Sequence, residues 1–480
     1  MVSQVNEFGN ENQVSNPILI VLSLLPGYPL LKEFLLNHQF ALDRQRRFWR
    51  LAVVNIISNL TVPLASLVDV AFLGHLTEIR HLAGVAIATI LFNYIYWTFG
   101  FLRMGTTGLT AQARGRGQTD VVILTLLRNC AIALLIGTVI LLLQRPLREI
   151  GFTLLQADAD VLEAGRAYYS ALIWGAPATL LNFVLLGWFL GREQGKEVLL
   201  VSVVNKGTNI VLDYLFIVRW GQESAGAGAA TAISQFVTLI VGMCLVYREL
   251  AKIGWIKKRS PVHIAQIWEL SALKSIFTLN KDILIRTLAL VSTFAAFTNL
   301  SATMGTTVLA GNTLLLQVVT LAAYFIDGIA FATESIAGNL HGQGEKEQLL
   351  PLLKLAGSVS LAAGLSFAIV FICFPQPLFG LLTSHAEVIG QISNYLWWLL
   401  PVLGFGSIAY MLDGYFLGLT AGKILRQSTL IAAGLGFAPM AIAAWHWQTN
   451  HLLWLALALF MATRSFTLAL KINRSAVKNY

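Results

Sequence analysis

Charge is what this sequence has least of for its size. Only 12% of its 480 residues are charged, whereas 56% are apolar. A water-soluble chain needs roughly a quarter of its residues charged to coat its surface, so lipid must meet much of this exterior. Cysteine is nearly absent. Cys130, Cys244 and Cys373 each lie inside an apolar run, and an odd number at such places argues against a disulfide framework; they read as small buried hydrophobes. Histidine is sparse and dispersed, with His75, His81, His341, His385, His446 and His451 among loops and the ends of apolar runs. They show no metal-ligand spacing, and no nucleophile motif accompanies them, so neither a structural metal nor a membrane-embedded enzyme is expected. The net charge of +9 is not gathered into a basic run interleaved with aromatics, so nucleic acid is not an expected partner. The chain start also lacks the charged region and small-residue cleavage site of a signal peptide.

What is abundant is long apolar sequence, with a mean hydropathy of +0.69. A hydrocarbon core about 30 Å thick takes about 20 apolar residues as a helix. Such runs occur near 51–74, 83–112, 120–143, 163–190, 197–218 and 225–247, then near 281–301, 308–338, 350–374, 389–418, 424–444 and 451–470. The expected fold class is all-α integral membrane, with twelve transmembrane helices in two lobes. The N-lobe covers 46–248, the C-lobe 281–480, and a loop at 249–280 joins them. Residues 1–45 carry a short apolar stretch broken by Pro17, Pro26 and Pro29, too short to span and read as a variable extension without regular structure.

Basic residues mark alternate loops. Arg44, Arg46, Arg47 and Arg50 precede the first span; Arg114 and Arg116, Arg192 and Lys196, and the Lys252, Lys257, Lys258, Arg259 cluster before Pro261 follow even-numbered ones. Lys346, Lys423 with Arg426, and Lys471, Arg474 and Lys478 continue the alternation, while the opposite loops hold only Arg80, Arg145, Arg148 and Arg219. This bias places both termini and the central loop in the cytoplasm, as in a multi-pass protein of the cell's inner (plasma) membrane. Trp397 and Trp398, with Trp445, Trp447 and Trp454, read as an interfacial belt. Pro177 and Pro401 are expected to kink their spans, and Pro63 to make a kink near Asp69.

The two halves match without gaps at one offset, 227 residues. Leu82-Ala83-Gly84 recurs as Leu309-Ala310-Gly311, Gly115 and Gly117 as Gly342 and Gly344, and Leu154-Leu155 with Ala159 and Val161 as Leu381-Leu382 with Ala386 and Val388. The longest match sets Gly187-Trp188-Phe189-Leu190-Gly191, with Gly195-Lys196, against Gly414-Tyr415-Phe416-Leu417-Gly418, with Gly422-Lys423. An even number of spans per half keeps both copies in one orientation, so they are parallel repeats with a small-molecule site expected between them.

A charge at the bilayer centre costs at least about 3 kcal/mol, so its retention needs a reason. Asp69 lies within the first span and Asp213 within the fifth, with Asn209 one turn before Asp213 on the same face and Thr231 available from the sixth. If these helices converge, two carboxylates, an amide and a hydroxyl line one pocket. Such a pocket can take up H⁺ or hold Na⁺ on carboxylate and amide oxygens, and Lys206 is an alternative structural partner for the acids. The second half does not copy it: Ala296 and Met440 stand at the corresponding positions. Its own acids are Asp327 and Glu334 in the eighth span and Asp413 in the tenth. Asp327 and Glu334 share a helix face, with Glu334 expected near the cytoplasmic end and as much solvated as functional. Arg103 and Arg286 are the deep arginines, expected to neutralise buried acids or line the cavity with them.

Pro63-Leu64 with Leu67-Val68-Asp69-Val70-Ala71-Phe72-Leu73-Gly74-His75-Leu76 resembles the first span of multidrug and toxic compound extrusion (MATE) transporters, most of all the DinF-like branch. Leu102-Arg103-Met104-Gly105-Thr106-Thr107-Gly108-Leu109-Thr110-Ala111-Gln112-Ala113 is similar to that branch's second span, and Asp327-Gly328 with Phe331-Ala332 and Glu334 to its eighth. The resemblance runs from about residue 46 to the end. It implies a monomeric secondary antiporter, not an enzyme, with two six-helix lobes opening alternately to either side. It needs no cofactor beyond H⁺ or Na⁺ as coupling ion, and it exports small amphipathic or cationic compounds. It implies a first-lobe cation site at Asp69, Asn209, Asp213 and Thr231, with Ala227 supplying a carbonyl. No clear acid stands in the part of the seventh span that matches the second-lobe site of other branches. The nearest rival within the superfamily, a flippase of lipid-linked oligosaccharides, needs more cavity arginines than Arg103 and Arg286. A major facilitator needs a loop motif after the second span that Arg114-Gly115-Arg116-Gly117 does not supply.

Overall fold

Helix is the only way for a chain to cross hydrocarbon while pairing its own backbone groups locally, short of a closed barrel. A computed structural model describes residues 28–74, 76, 78–154, 158–255, 264–381 and 386–477. Twelve helices among them are long and apolar enough to span. They are α1 (Asp43–Gly74), α2 (Arg80–Gly115), α3 (Thr119–Leu142), α4 (Ala159–Gly191), α5 (Gly195–Arg219) and α6 (Glu223–Lys252) in the first half. The second half supplies α7 (Leu270–Thr303), α8 (Thr306–Gln343), α9 (Lys346–Cys373), α10 (Glu387–Gly418), α11 (Gly422–Trp447) and α12 (Asn450–Ile472). Lys257, Lys258, Arg259, Pro261, His75, His385, Leu382, Lys478 and the prolines at 17 and 26 lie outside the described residues.

Several expectations are corrected. The helix that becomes α1 begins at Tyr28, so residues 28–45 do have regular structure. The expected loop at 249–280 is largely helical: α6 runs on to Lys252, a short turn covers Ile264–Ile267, and α7 starts at Leu270. Lys274, Asn280, Lys281 and Asp282 disguise this start as a loop, yet Asp282 takes a 2.6 Å ion pair from Arg426. Arg128 of α3 holds the preceding turn by donating to the carbonyls of Gln266 at 2.6 Å and Ile267 at 3.3 Å, and to Glu269 at 3.2 Å. Cys244 and Cys373 are exposed rather than buried. Trp454 is not in a belt: it is fully buried and its indole N–H donates to Asn312 Oδ1 at 2.9 Å. Trp397, Trp445 and Trp447 are exposed.

Proline acts in the fourth span of each half. In α4 the α-helix gives way to a 3₁₀ turn at Ile173–Gly175 just before Pro177, and in α10 to one at Leu396–Trp398 before Pro401. The ring removes a donor and clashes with the preceding turn, so both spans break there. Pro63 sits inside an unbroken helix.

The repeat has a packing basis. A Cβ on Gly187 would lie 2.4 Å from the Arg103 carbonyl oxygen, and one on Gly191 2.6 Å from that of Thr107. In the second half a Cβ on Gly414 would lie 2.3 Å from the Ala330 oxygen, and one on Gly418 2.3 Å from that of Glu334. These are the same four positions moved by 227 residues. With lipid as solvent, helices associate through close packing rather than hydrophobic exclusion, and glycines four apart let backbones touch. The longest sequence match between the halves is therefore the seam joining α2 to α4 and α8 to α10. Gly191→Ala is expected to lower the melting temperature of the purified protein, by about 1–3 kcal/mol of stability. Gly207→Ala, where an added Cβ meets nothing within 4 Å, is expected to leave it unchanged or slightly raised.

Candidate functional site

The first-half residues singled out in the sequence converge. Asn209 and Asp213 lie one turn apart on α5, and the Asn209 amide donates to Asp213 Oδ2 at 2.8 Å. The same nitrogen reaches Thr231 Oγ1 on α6 at 3.3 Å, and Thr231 donates to the Ala227 carbonyl at 3.0 Å. Asp69 of α1 completes the pocket, close enough for a hydrogen bond to Asp213 when one of the two carries a proton. Asp213 and Asn209 are buried, and Asp69 Oδ1 is buried without a hydrogen-bond partner. A buried acceptor left unpaired is costly unless something else occupies it. Immediately after Asp213 the helix widens into a π-turn over Tyr214–Arg219, a deformation concentrated at functional positions.

Two further residues belong here, of which the sequence pointed only to Lys206. Tyr168 of α4 is buried beside Thr231 and Thr89 and feels both carboxylates. Lys206, one turn before Asn209, directs its charge at Asp69 and Asp213 together. Its helical spacing from Asn209 and Asp213 was the available signal. With both acids ionised the pocket carries one net negative charge, which one proton or one monovalent cation cancels.

The second-half acids form a different arrangement. Glu334 is fully buried rather than solvated and pairs with Arg103 of α2 at 3.4 Å; the Arg103 guanidinium also lies over the Phe331 ring, 4.1 Å from its centroid. Asp413 is bridged by Arg286 of α7 and Arg464 of α12. Arg464, fully buried, is a third deep arginine; it escaped notice because it sits late in a span, where a cation reads as an end anchor. Asp327 feels Arg103, Arg286 and Arg464 at longer range but forms no salt bridge among the described residues.

A cavity of about 890 Å³ lies between the halves, with Arg103, Arg286, Asp327, Glu334 and Asp413 in its wall. Tyr94, Trp97, Phe183, Phe294, Tyr324 and Tyr410 supply much of its aromatic surface. The two centres are linked through α1: a Cβ on Gly328 of α8 would lie 2.6 Å from the Ile56 nitrogen, and Asn59 donates to the Tyr324 carbonyl at 3.2 Å.

The family model described as MatE matches residues 55–215 and, separately, 283–442. DNA damage-inducible protein F of Escherichia coli strain K12 is 35% identical, covering 90% of this chain and 92% of its own length. A probable multidrug resistance protein NorM of Thermotoga maritima is 23% identical over 80% of this chain and 81% of its own. Among solved structures, a MOP superfamily transporter from Pyrococcus furiosus superposes with a TM-score of 0.80 at 20% identity, covering 90% of this chain and 95% of that one. With the family model fitting each half in turn over more than half of the residues, and twelve spanning helices to carry it, this chain belongs to the MatE family: it is a multi-pass membrane transporter for small molecules, not an enzyme.

Proposed function

We propose that this transporter is an antiporter exporting small amphipathic or cationic compounds, driven by inward movement of H⁺ or Na⁺ and working by alternating access between its two halves. The observation that carries the reading is the convergence of Asp69 and Asp213 with Asn209 and Thr231, next to a single lysine. Two acids and one ammonium hold one negative charge too many. A cation entering that pocket is stabilised there, and each charge crossing 100 mV is worth about 2.3 kcal/mol. Asp69, Asn209, Asp213, Thr231 and the Ala227 carbonyl are the proposed coupling residues.

The cavity supports the substrate class. Its arginines are committed to Glu334 and Asp413, which leaves Asp327 as the carboxylate without a salt bridge facing an aromatic wall. A ligand with an aromatic body and one positive group fits that wall by apolar contact, cation–π attraction and Coulomb attraction. The same commitment of the arginines leaves none to hold a pyrophosphate, against a flippase. Both halves of the cavity come from one chain, so a monomer suffices. The basic residues at alternate loops orient it in the inner membrane with both termini and the central connection in the cytoplasm.

Dye efflux from inverted vesicles under an imposed pH or sodium gradient tests the scheme. Asp69→Asn and Asp213→Asn are each expected to abolish gradient-driven transport while the protein stays folded; full efflux by Asp69→Asn excludes the site. The two gradients applied in turn identify the ion. Asp327→Asn is expected to raise KM for a cationic dye several-fold with little change in melting temperature. Asp413→Asn, which strands two buried guanidinium groups, is expected to cost about 3–5 kcal/mol of stability, read as a lower melting temperature.

A further inference from the structure

The cavity wall ends, on the side of the turns at Gly117 and Gly344, where glycines of α2 and α8 rest against each other's backbone. A Cβ on Gly115 would fall 2.2 Å from the Asn339 oxygen and 2.9 Å from the Gly342 Cα; one on Gly342 would fall 2.3 Å from the Gln112 oxygen. Two buried amides cross this contact in opposite directions. Gln112 Nε2 of the first half donates to the Gly418 carbonyl at 3.0 Å and to Thr420 Oγ1 at 3.1 Å. Asn339 Nδ2 of the second half donates to the Gly191 carbonyl at 3.3 Å and to Glu193 Oε1 at 2.7 Å.

Donor, carbonyl and side-chain acceptor are each related by the repeat: Gln112 to Asn339, Gly418 to Gly191, and Thr420 to Glu193, all 227 residues apart. Glu193 and Thr420 also share a left-handed backbone, with φ of 56° and 55°. Glycine would adopt that conformation without strain; both halves instead keep a residue whose side-chain oxygen meets the partner's amide. Identity of residue type is not what the repeat preserves here, since Gln faces Asn and Thr faces Glu. It preserves the pattern of donation across the pseudo-twofold axis.

We infer that Gln112 and Asn339 are reciprocal latches that hold the cavity closed at this end, and that transport requires both to release. The chemistry suits a reversible closure. Gly191 and Gly418 end their helices, where carbonyls lack an intrahelical donor. Water replaces the amide when the halves part, so opening leaves no acceptor stranded. Neutral amides hold the closed state by roughly five-fold each, weakly enough for a coupling ion to override.

The inference rests on the alternating-access reading above, and the side on which the latches lie rests on the orientation given there. For the test, the full chain carries Cys130→Ser, Cys244→Ser and Cys373→Ser, with Ala323→Cys in the cavity wall as reporter. A membrane-impermeant maleimide is applied to sealed vesicles from either face. Gln112→Ala and Asn339→Ala are each expected to speed cytoplasmic labelling roughly five-fold, and the double variant more than either alone. If an alanine variant fails to fold, Gln112→Glu and Asn339→Asp keep the size and remove the donor, with the same outcome expected. Unchanged labelling from both faces in folded variants overturns the latch. Faster labelling from the opposite face alone keeps the latch and overturns the orientation; faster cytoplasmic labelling with no gradient-driven efflux by the parent protein keeps the latch and overturns the antiport reading.

Discussion

An ionised side chain removed from water has to be compensated where it sits, and the two halves of this molecule meet that demand in opposite ways. In the second half the counter-ions are part of the protein: Asp413 lies between Arg286 and Arg464, and Glu334 against Arg103. In the first half they are incomplete. Lys206 offsets one of two carboxylates, and Asp69 Oδ1 has no hydrogen-bond partner among the described residues. The proposed coupling role of the first-half pocket rests on that difference. A static bundle gains nothing from an unfinished pocket, whereas a carrier needs one.

The difference is the more instructive because the scaffold beneath it is duplicated. The glycine seams of α2 with α4 and α8 with α10 correspond position by position, and each half breaks its fourth span, α4 or α10, shortly before a proline. The charged residues do not correspond. At the 227-residue offset, Arg103 faces Ala330, Asp213 faces Met440, and Asp413 faces Leu186. Packing was retained in both copies because either half collapses without it. The polar chemistry diverged: the first half sets Asp69 and Asp213 about Lys206, while the acids of the second are paired with arginines.

Much of this was legible in the amino-acid order. Lipid imposes a minimum span length, so the number of helices could be counted from apolar runs. Asn209 and Asp213 could be grouped because helical spacing alone puts them on one face. What escaped notice lay in contacts that no local pattern encodes. Arg464 looks like an end anchor until Asp413, fifty-one residues earlier, is seen to hold it. Trp454 looks like a belt residue until Asn312 accepts its N–H. The start of α7 carries Lys274, Lys281 and Asp282 and reads as loop, because Arg426, which pairs with Asp282, and Arg128, which holds the turn before it, come from elsewhere in the chain.

The glycine seams also decide where motion can occur. Where carbonyl oxygens rest against glycine Cα atoms there is no layer of side chains to compress or re-pack, and any sliding raises steric cost at once. Strain from a loading event therefore does not dissipate inside a half. Glycine meets carbonyl across the boundary between halves as well, at Gly115 and Gly342, so that joint resists shear as the seams do and yields only to a clean parting of its two faces.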